Sequence, residues 1–312
     1  MIYLQKFELL NENEEGCEFH KREFCCQPSC KRQHLDRGRF YYHTNDEIYP
    51  YTIFPQKQFE DIDFEDITIF YGGNGSGKTT LLNIIADKLN LYRITPCPQT
   101  IGFGYYLEIC RYSAKKPISA RSKFLASDDV FNHILSVREE NKGISAHKQA
   151  EREYHWQAKQ GMHAVKSIDF ESENYKEDLE KLRAFNEARR KTTRQFIRAR
   201  AGELQRQYSN GENALMFFDK QIEENALYLL DEPENSLSPK FQLELKYMIE
   251  DSVRYRNCQF VIATHLPFML SLKNAKIYNL DEMPVSVQKW YELENVKLMR
   301  ELFKENHEYF EN

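Results

Sequence analysis

The eight residues Gly72-Gly73-Asn74-Gly75-Ser76-Gly77-Lys78-Thr79 constrain this chain more than anything else in it, because they match the phosphate-loop pattern at every fixed position. Glycines let the backbone wrap so that successive amide N–H groups point at phosphate oxygens, and a helix opening at Lys78 adds the positive end of its dipole. The flanking residues supply that setting. Ile67-Thr68-Ile69-Phe70-Tyr71 is an apolar, β-branched run, and the segment from Thr79-Thr80 to Leu89 repeats its apolar positions at helical spacing. Strand, glycine loop and helix in that order predict a phosphate site. Lys78 is expected to reach the β- and γ-phosphates, and the Thr79 hydroxyl to hold Mg²⁺.

Three further pieces carry chemistry. Ala226-Leu227-Tyr228-Leu229-Leu230 runs straight into Asp231-Glu232, which places both carboxylates at the carboxyl end of a buried strand, where open α/β sheets bind ligands. Asp231 is expected to hold Mg²⁺ and Glu232 to accept a proton from the attacking water. Ala263-Thr264-His265 ends a second apolar strand, and His265 there can donate to a terminal phosphate and lose that bond after hydrolysis. Ser209-Asn210-Gly211-Glu212 opens a helix and offers a second anion site.

In their order and spacing these four pieces resemble an ATP-binding cassette ATPase. The stretch Leu229-Leu230-Asp231-Glu232-Pro233-Glu234-Asn235-Ser236-Leu237-Ser238-Pro239 is similar to the stand-alone prokaryotic "AAA family" cassette ATPases, related to the SMC, RecF and OLD-type proteins. The resemblance implies ATP and Mg²⁺ as cofactors. It also implies a homodimer that sandwiches two ATP molecules, the loop Gly72 to Thr80 of one subunit facing Ser209, Asn210, Gly211 and Glu212 of the other. Asn210 stands where glycine is usual, Glu212 where transporters favour glutamine, and Ser238 where many cassettes carry aspartate or histidine. The family places a glutamine on Mg²⁺ and the attacking water, and Gln99 is the candidate, a plain loop glutamine being its rival. Tyr51 or Phe54, upstream of the glycine loop, offers an aromatic ring for the adenine.

The fold expected is α/β, a cassette-type phosphate-loop NTPase with a mainly parallel core sheet, an N-terminal antiparallel β layer and a helical insertion. Residues 1–118 hold the β layer and the phosphate-loop core. The aromatic pieces Phe40-Tyr41-Tyr42 and Tyr49 to Phe54 read as short strands and turns of that layer. Residues 119–207, poor in glycine and rich in charge and helix formers, form the insertion, too short in heptad pattern for a coiled coil. Residues 208–312 return to strand–helix alternation.

Composition narrows the class. The chain has 312 residues, 41% apolar and 29% charged, so it can bury a full core and is neither disordered nor stapled by disulfides. The opening residues lack a signal-peptide pattern and no apolar run is long enough for a membrane span, which predicts a cytoplasmic protein with no membrane partner. A net charge of −5 argues against a surface built throughout for nucleic acid. A local basic run, Lys181, Arg183, Arg189, Arg190, Lys191, Arg194, Arg198, Arg200 and Arg206, suits either a phosphate backbone or a solvated helix face. Cys17, His20, Cys25, Cys26, Cys30 and His34 are ligand types that suit zinc, but their spacing matches no standard finger, and ordinary thiols are the alternative.

Hydrolysis is then a means to act on something else. The role expected is regulation of an effector protein in a defence or toxin-type module. The alternatives are a DNA-binding repair clamp working through Lys181 to Arg206, and the motor of a transporter.

Overall fold

A computed structural model describes residues 2–15, 49–96, 100–159, 175–201, 209–235 and 237–309. By its internal contacts the chain divides into two compact units, one of Met1–Phe131 with Asn210–Asn312, the other of Asn132–Ser209.

The first unit is built, among the described residues, on ten strands: β1 (Leu4–Glu8), β2 (Asp61–Asp63), β3 (Ile67–Tyr71), β4 (Tyr92–Arg93), β5 (Arg111–Ala114), β6 (Lys123–Ala126), β7 (Leu227–Asp231), β8 (Gln259–Thr264), β9 (Lys276–Asn279) and β10 (Ser286–Gln288). Seven of them form one sheet in the order β10-β9-β3-β8-β7-β6-β4. Every neighbouring pair in it is parallel except β9 and β10. β3, β7 and β8 are buried along their whole length, which is why they read as unbroken apolar runs rather than alternating ones. β1, β2 and β5 form the separate antiparallel layer.

Helix α1 (Lys78–Lys88) follows the glycine loop and buries Leu81, Leu82, Ile84, Ile85 and Ala86. Each leucine or isoleucine side chain removed from water contributes roughly 1.5–3 kcal/mol. Helix α2 (Ile101–Ile109) begins at Thr100, whose hydroxyl accepts from the Phe103 N–H as an N-cap. The antiparallel layer meets the core through aromatic edges, Phe64 standing perpendicular to Phe70. It is tied there by Gln259, fully buried at the start of β8. Its amide oxygen accepts from the N–H groups of Tyr3 and Leu4, and its amide nitrogen donates to the carbonyls of Leu4 and Glu65.

The second unit is helical. It takes most of α3 (Ser127–Lys159), then α4 (Tyr175–Arg190) and α5 (Thr193–Arg200). Helix α5 starts at a capping box between Thr192 and Gln195. Its buried Phe196 packs on His155, ring centroids 4.7 Å apart, and the Arg200 guanidinium lies over the same ring. The chain returns to the first unit with α6 (Asn210–Gln221), α7 (Pro239–Tyr255), α8 (Pro267–Leu270) and α9 (Glu294–Glu305).

Two expectations are corrected. The segment from 119 does not open as helix: Lys123–Ala126 is strand β6, paired in parallel with β7, and its two core residues are too few to stand out in the sequence. Tyr49 to Phe54 is a series of turns rather than strand, with Thr52 at φ 69°, a left-handed backbone no strand accommodates. Phe40-Tyr41-Tyr42 lies outside the described residues.

Candidate functional site

The glycine loop lies between the end of β3 and the start of α1. Gly77, immediately before the helix, has φ 97°, a conformation glycine adopts without strain. At Gly72 a Cβ would lie 2.5 Å from the Ser76 Oγ, so the loop closes on itself only because that position has no side chain. Lys78, 5% exposed, is turned back over the loop, its Nζ donating to the carbonyls of Gly72 (2.7 Å) and Gly73 (2.9 Å). Thr80, one residue past Thr79, accepts from the Tyr49 hydroxyl at 2.9 Å.

β7 delivers the two carboxylates in different directions because the backbone turns sharply between them. Asp231 ends the strand, and Glu232 follows at φ 45°. The Thr79 hydroxyl donates to the Asp231 Oδ1 at 3.1 Å. Burial pushes the Asp231 carboxyl up to about 6, with the Thr79 bond opposing the rise. Two hard oxygen donors side by side at the loop's helix suit Mg²⁺, and a cation there would reverse that shift.

Glu232 faces the other way. Its Oε1 lies 3.3 Å from His265 Nδ1 and 3.7 Å from the Lys78 Nζ, and its Oε2 accepts from the Asn235 amide at 2.8 Å. Burial alone would raise this carboxyl, but the Asn235 bond and the Lys78 and His265 charges outweigh it and hold Glu232 below its ordinary value. Glu232 is therefore ionised near neutral pH, the form in which a carboxylate can take a proton.

His265 follows β8, and its backbone carbonyl accepts from the Asn295 amide at 3.1 Å. One residue earlier, the Thr264 hydroxyl donates to Glu234 Oε1 and accepts from the Leu266 N–H. Glu234 is fully buried, and burial pushes its carboxyl up to about 7. The Thr264–Glu234 bond thus joins the turn after β7 to the end of β8, the residue before His265.

Lys78, Thr79, Asp231, Glu232 and His265 meet in one cluster at the carboxyl ends of β3, β7 and β8. Gly211 lies elsewhere in the unit, in the first turn of α6, where the Phe241 ring of α7 fills the space its Cβ would take. Tyr51 and Phe54 are 3% and 0% exposed, Tyr51 packed edge-on against Tyr106, so neither ring is open to an adenine. Gln99 and the cysteine and histidine residues from Cys17 to His34 lie outside the described residues. Among the described residues no group of three or more histidines, cysteines and carboxylates could hold a metal. Sequence reasoning missed Asn235, Asn295, Glu234 with Thr264, and Asp281. Asp281 carried no signal like that of Asp231, since the polar Asn279 interrupts the run from Ile277 to Leu280 before it.

Among solved structures, 83 chains are similar. A metal-chelate type ABC transporter in an inward-facing conformation is 19% identical, covering 74% of this chain and 74% of its own, with TM-score 0.34. The Smc head domain of Pyrococcus furiosus bound to the C-terminal domain of ScpA is 15% identical, covering 78% and 94%, with TM-score 0.36. A dimeric ATP-binding cassette in a post-hydrolysis state, bound to ADP and Pi, is 14% identical, covering 74% and 88%, with TM-score 0.33. A search of curated protein sequences finds no match. The ABC transporter family model matches residues 61–235, which include the glycine loop and the Asp231-Glu232 turn. With more than half its length in that match and the site's geometry in place, the chain belongs to the ABC transporter family of ATP-binding cassette proteins and is an ATPase that uses ATP with Mg²⁺.

Proposed function

We propose that this ATPase is the regulatory half of an effector module of defence or toxin type, a homodimer that closes around two ATP molecules and holds or releases an effector protein by nucleotide state. The observation that carries its catalytic half is the single Glu232 oxygen within reach of both His265 and Lys78. The backbone of Gly72 to Thr80 binds the phosphates, and Lys78 leaves the Gly72 and Gly73 carbonyls for the β- and γ-phosphates. Thr79, Asp231 and Gln99 hold Mg²⁺, which when bound neutralises charge on the phosphate oxygens. Glu232 takes the proton of the attacking water, and His265 donates to the γ-phosphate. Ser209, Asn210, Gly211 and Glu212, at the amino end of α6, serve the ATP held by the partner subunit.

A protein partner is favoured over nucleic acid by how the basic residues of the helical unit are engaged. Lys181 pairs with Glu177 and Asp178, Lys191 with Glu187, and Arg200 with Glu151 and Glu187. Acids interleaved this way cancel the field that phosphate backbones require. A repair clamp on DNA is the second reading, and the exposed Arg183, Arg189, Arg190 and Arg194 favour it. Duplex DNA added to the ATPase assay separates the two. Under the effector reading turnover ignores DNA; a rise that Arg189→Glu, Arg190→Glu and Arg194→Glu together abolish establishes the clamp instead.

A further inference from the structure

The geometry points to Asp281 as a positioning residue that holds the first peptide of the phosphate loop in its binding orientation. The peptide plane between Gly72 and Gly73 is gripped at both ends. Its carbonyl accepts from the Lys78 Nζ at 2.7 Å, and its N–H donates to both carboxylate oxygens of Asp281, at 2.9 and 3.1 Å. Asp281 is brought there by sheet register: β9 pairs in parallel with β3, Asn279 beside Tyr71, and the Leu280 N–H donates to the Tyr71 carbonyl. The Asn279 side chain then accepts from the Asp281 N–H at 3.1 Å, fixing the residue that carries the carboxylate.

A grip is needed because both flanking residues are glycine. Turning a peptide plane over rotates the ψ before it and the φ after it by about half a turn each, and with no Cβ on either side neither rotation meets a steric barrier. An overturned plane would turn the Gly72 carbonyl away from the Lys78 ammonium and toward the Asp281 carboxylate, and would set the Gly73 N–H against Lys78, so the loop would lose the shape seen here. Lys78 guards against this only until it moves to the phosphates. From then on, Asp281 is the described contact that remains on that plane.

Removing Asp281 has two opposed effects on ATP affinity. Loss of a charge-assisted hydrogen bond frees the plane and weakens binding by roughly tenfold, equivalent to leaving about one loop in ten competent. Loss of an exposed negative charge strengthens binding, but screening by water and salt limits that to roughly twofold. The grip therefore dominates.

This inference rests on reading residues 72–79 as the phosphate loop, so the test carries Lys78→Ala as a control. Binding of a fluorescent ATP analogue with Mg²⁺ is measured for the wild type, D281A and the double variant D281A/G73A, alongside KM and kcat for ATP and the melting temperature. At Gly73 a Cβ would come no closer than 3.9 Å to any neighbour, and its φ lies outside the left-handed region. Alanine there accepts the native plane and resists the overturned one, so it restores the orientation without restoring a carboxylate. D281A should bind about tenfold more weakly, with KM raised and kcat at saturation within about threefold, and the double variant should recover most of the affinity. D281A binding as well as or better than wild type overturns the inference, as does a loss that G73A fails to recover. Should D281A not fold, D281N is read instead: its one remaining acceptor keeps binding within about threefold, and a loss of about tenfold counts against the grip. If Lys78→Ala binds ATP normally, the phosphate-loop reading itself fails; if it does not and D281A does, only the role of Asp281 fails.

Discussion

Glu232→Gln separates binding from hydrolysis, and the structure sets the size of each effect. The glutamine is isosteric. Its carbonyl oxygen can keep the bond from the Asn235 amide, 2.8 Å in the wild type, while its NH₂ takes the place of the oxygen that faces His265 at 3.3 Å and Lys78 at 3.7 Å. The His265 ring nitrogen can accept from that NH₂, so no buried group is stranded and the cost in stability stays within about 1 kcal/mol. What is lost, on the proposed assignment, is the proton acceptor. Positioned general bases supply roughly 10²–10⁴ in rate, about 3 to 5 kcal/mol of barrier, so turnover should fall by that factor. ATP affinity should hold or tighten, because a negative charge has been taken from beside Lys78, the group expected to meet the phosphates. Phosphate release under saturating ATP and Mg²⁺, read beside equilibrium binding of a fluorescent ATP analogue, measures both. A Glu232→Gln protein that turns over within about threefold of wild type refutes the base assignment, and one that no longer binds ATP refutes the claim that the substitution leaves the pocket intact.

Two other perturbations test the scaffold. Gln259→Ala leaves four backbone groups, the buried Tyr3 and Leu4 N–H and Leu4 carbonyl and the partly buried Glu65 carbonyl, without the partner they have now. At roughly 1 kcal/mol each this costs about 4 kcal/mol, which urea unfolding resolves, and a loss under about 1 kcal/mol contradicts the staple. Glu15 is 4% exposed, and burial pushes its carboxyl from 4.5 up to about 8 against the opposing bond from the Thr52 N–H. The folded chain then keeps a proton that the unfolded chain has released, so stability falls as pH rises from about 4.5 to about 8 and levels off above. Glu15→Gln should flatten that part of the melting temperature against pH, and an unchanged slope assigns it to other groups.

The parts of the fold legible in the sequence are those whose signal is local. β3, β7 and β8 announce themselves because a strand buried on both faces needs an unbroken apolar run, and α1 because its buried face repeats at helical spacing. β6 is illegible for the opposite reason: Phe124 and Leu125 are its only core residues, and their pairing with Leu229 and Leu230 defines it. Tyr49 to Phe54 misleads because aromatic residues favour strands, yet here they serve a buried turn packed against the loop, the Ile53 side chain 3.2 Å from where a Cβ on Gly77 would stand. Glu234 stood in plain view beside Glu232, but its task depends on Thr264 arriving next to it from another strand.

The cluster follows from register more than from any single motif. β3 and β8 pair with Tyr71 beside Thr264, β8 and β7 with Ala263 beside Asp231, and β3 and β9 with Tyr71 beside Asn279. Four strands therefore end nearly level, and residues at or just past each strand end come together although they lie far apart in the chain: Gly72 onward, Asp231 with Glu232, Thr264 with His265, and Asp281, two residues beyond β9. Slipping any one of these strands by a single residue would exchange its two buried faces, breaking the fit of both, and shift its polar end along the site, so the packing that stabilises the sheet also fixes the chemistry. Three of those ends were recognisable because a motif marks them. Asp281 obeys the same geometry without a motif, and its two bonds to Gly73 show that in this sheet the level at which a strand stops is itself a guide to which side chains reach the loop.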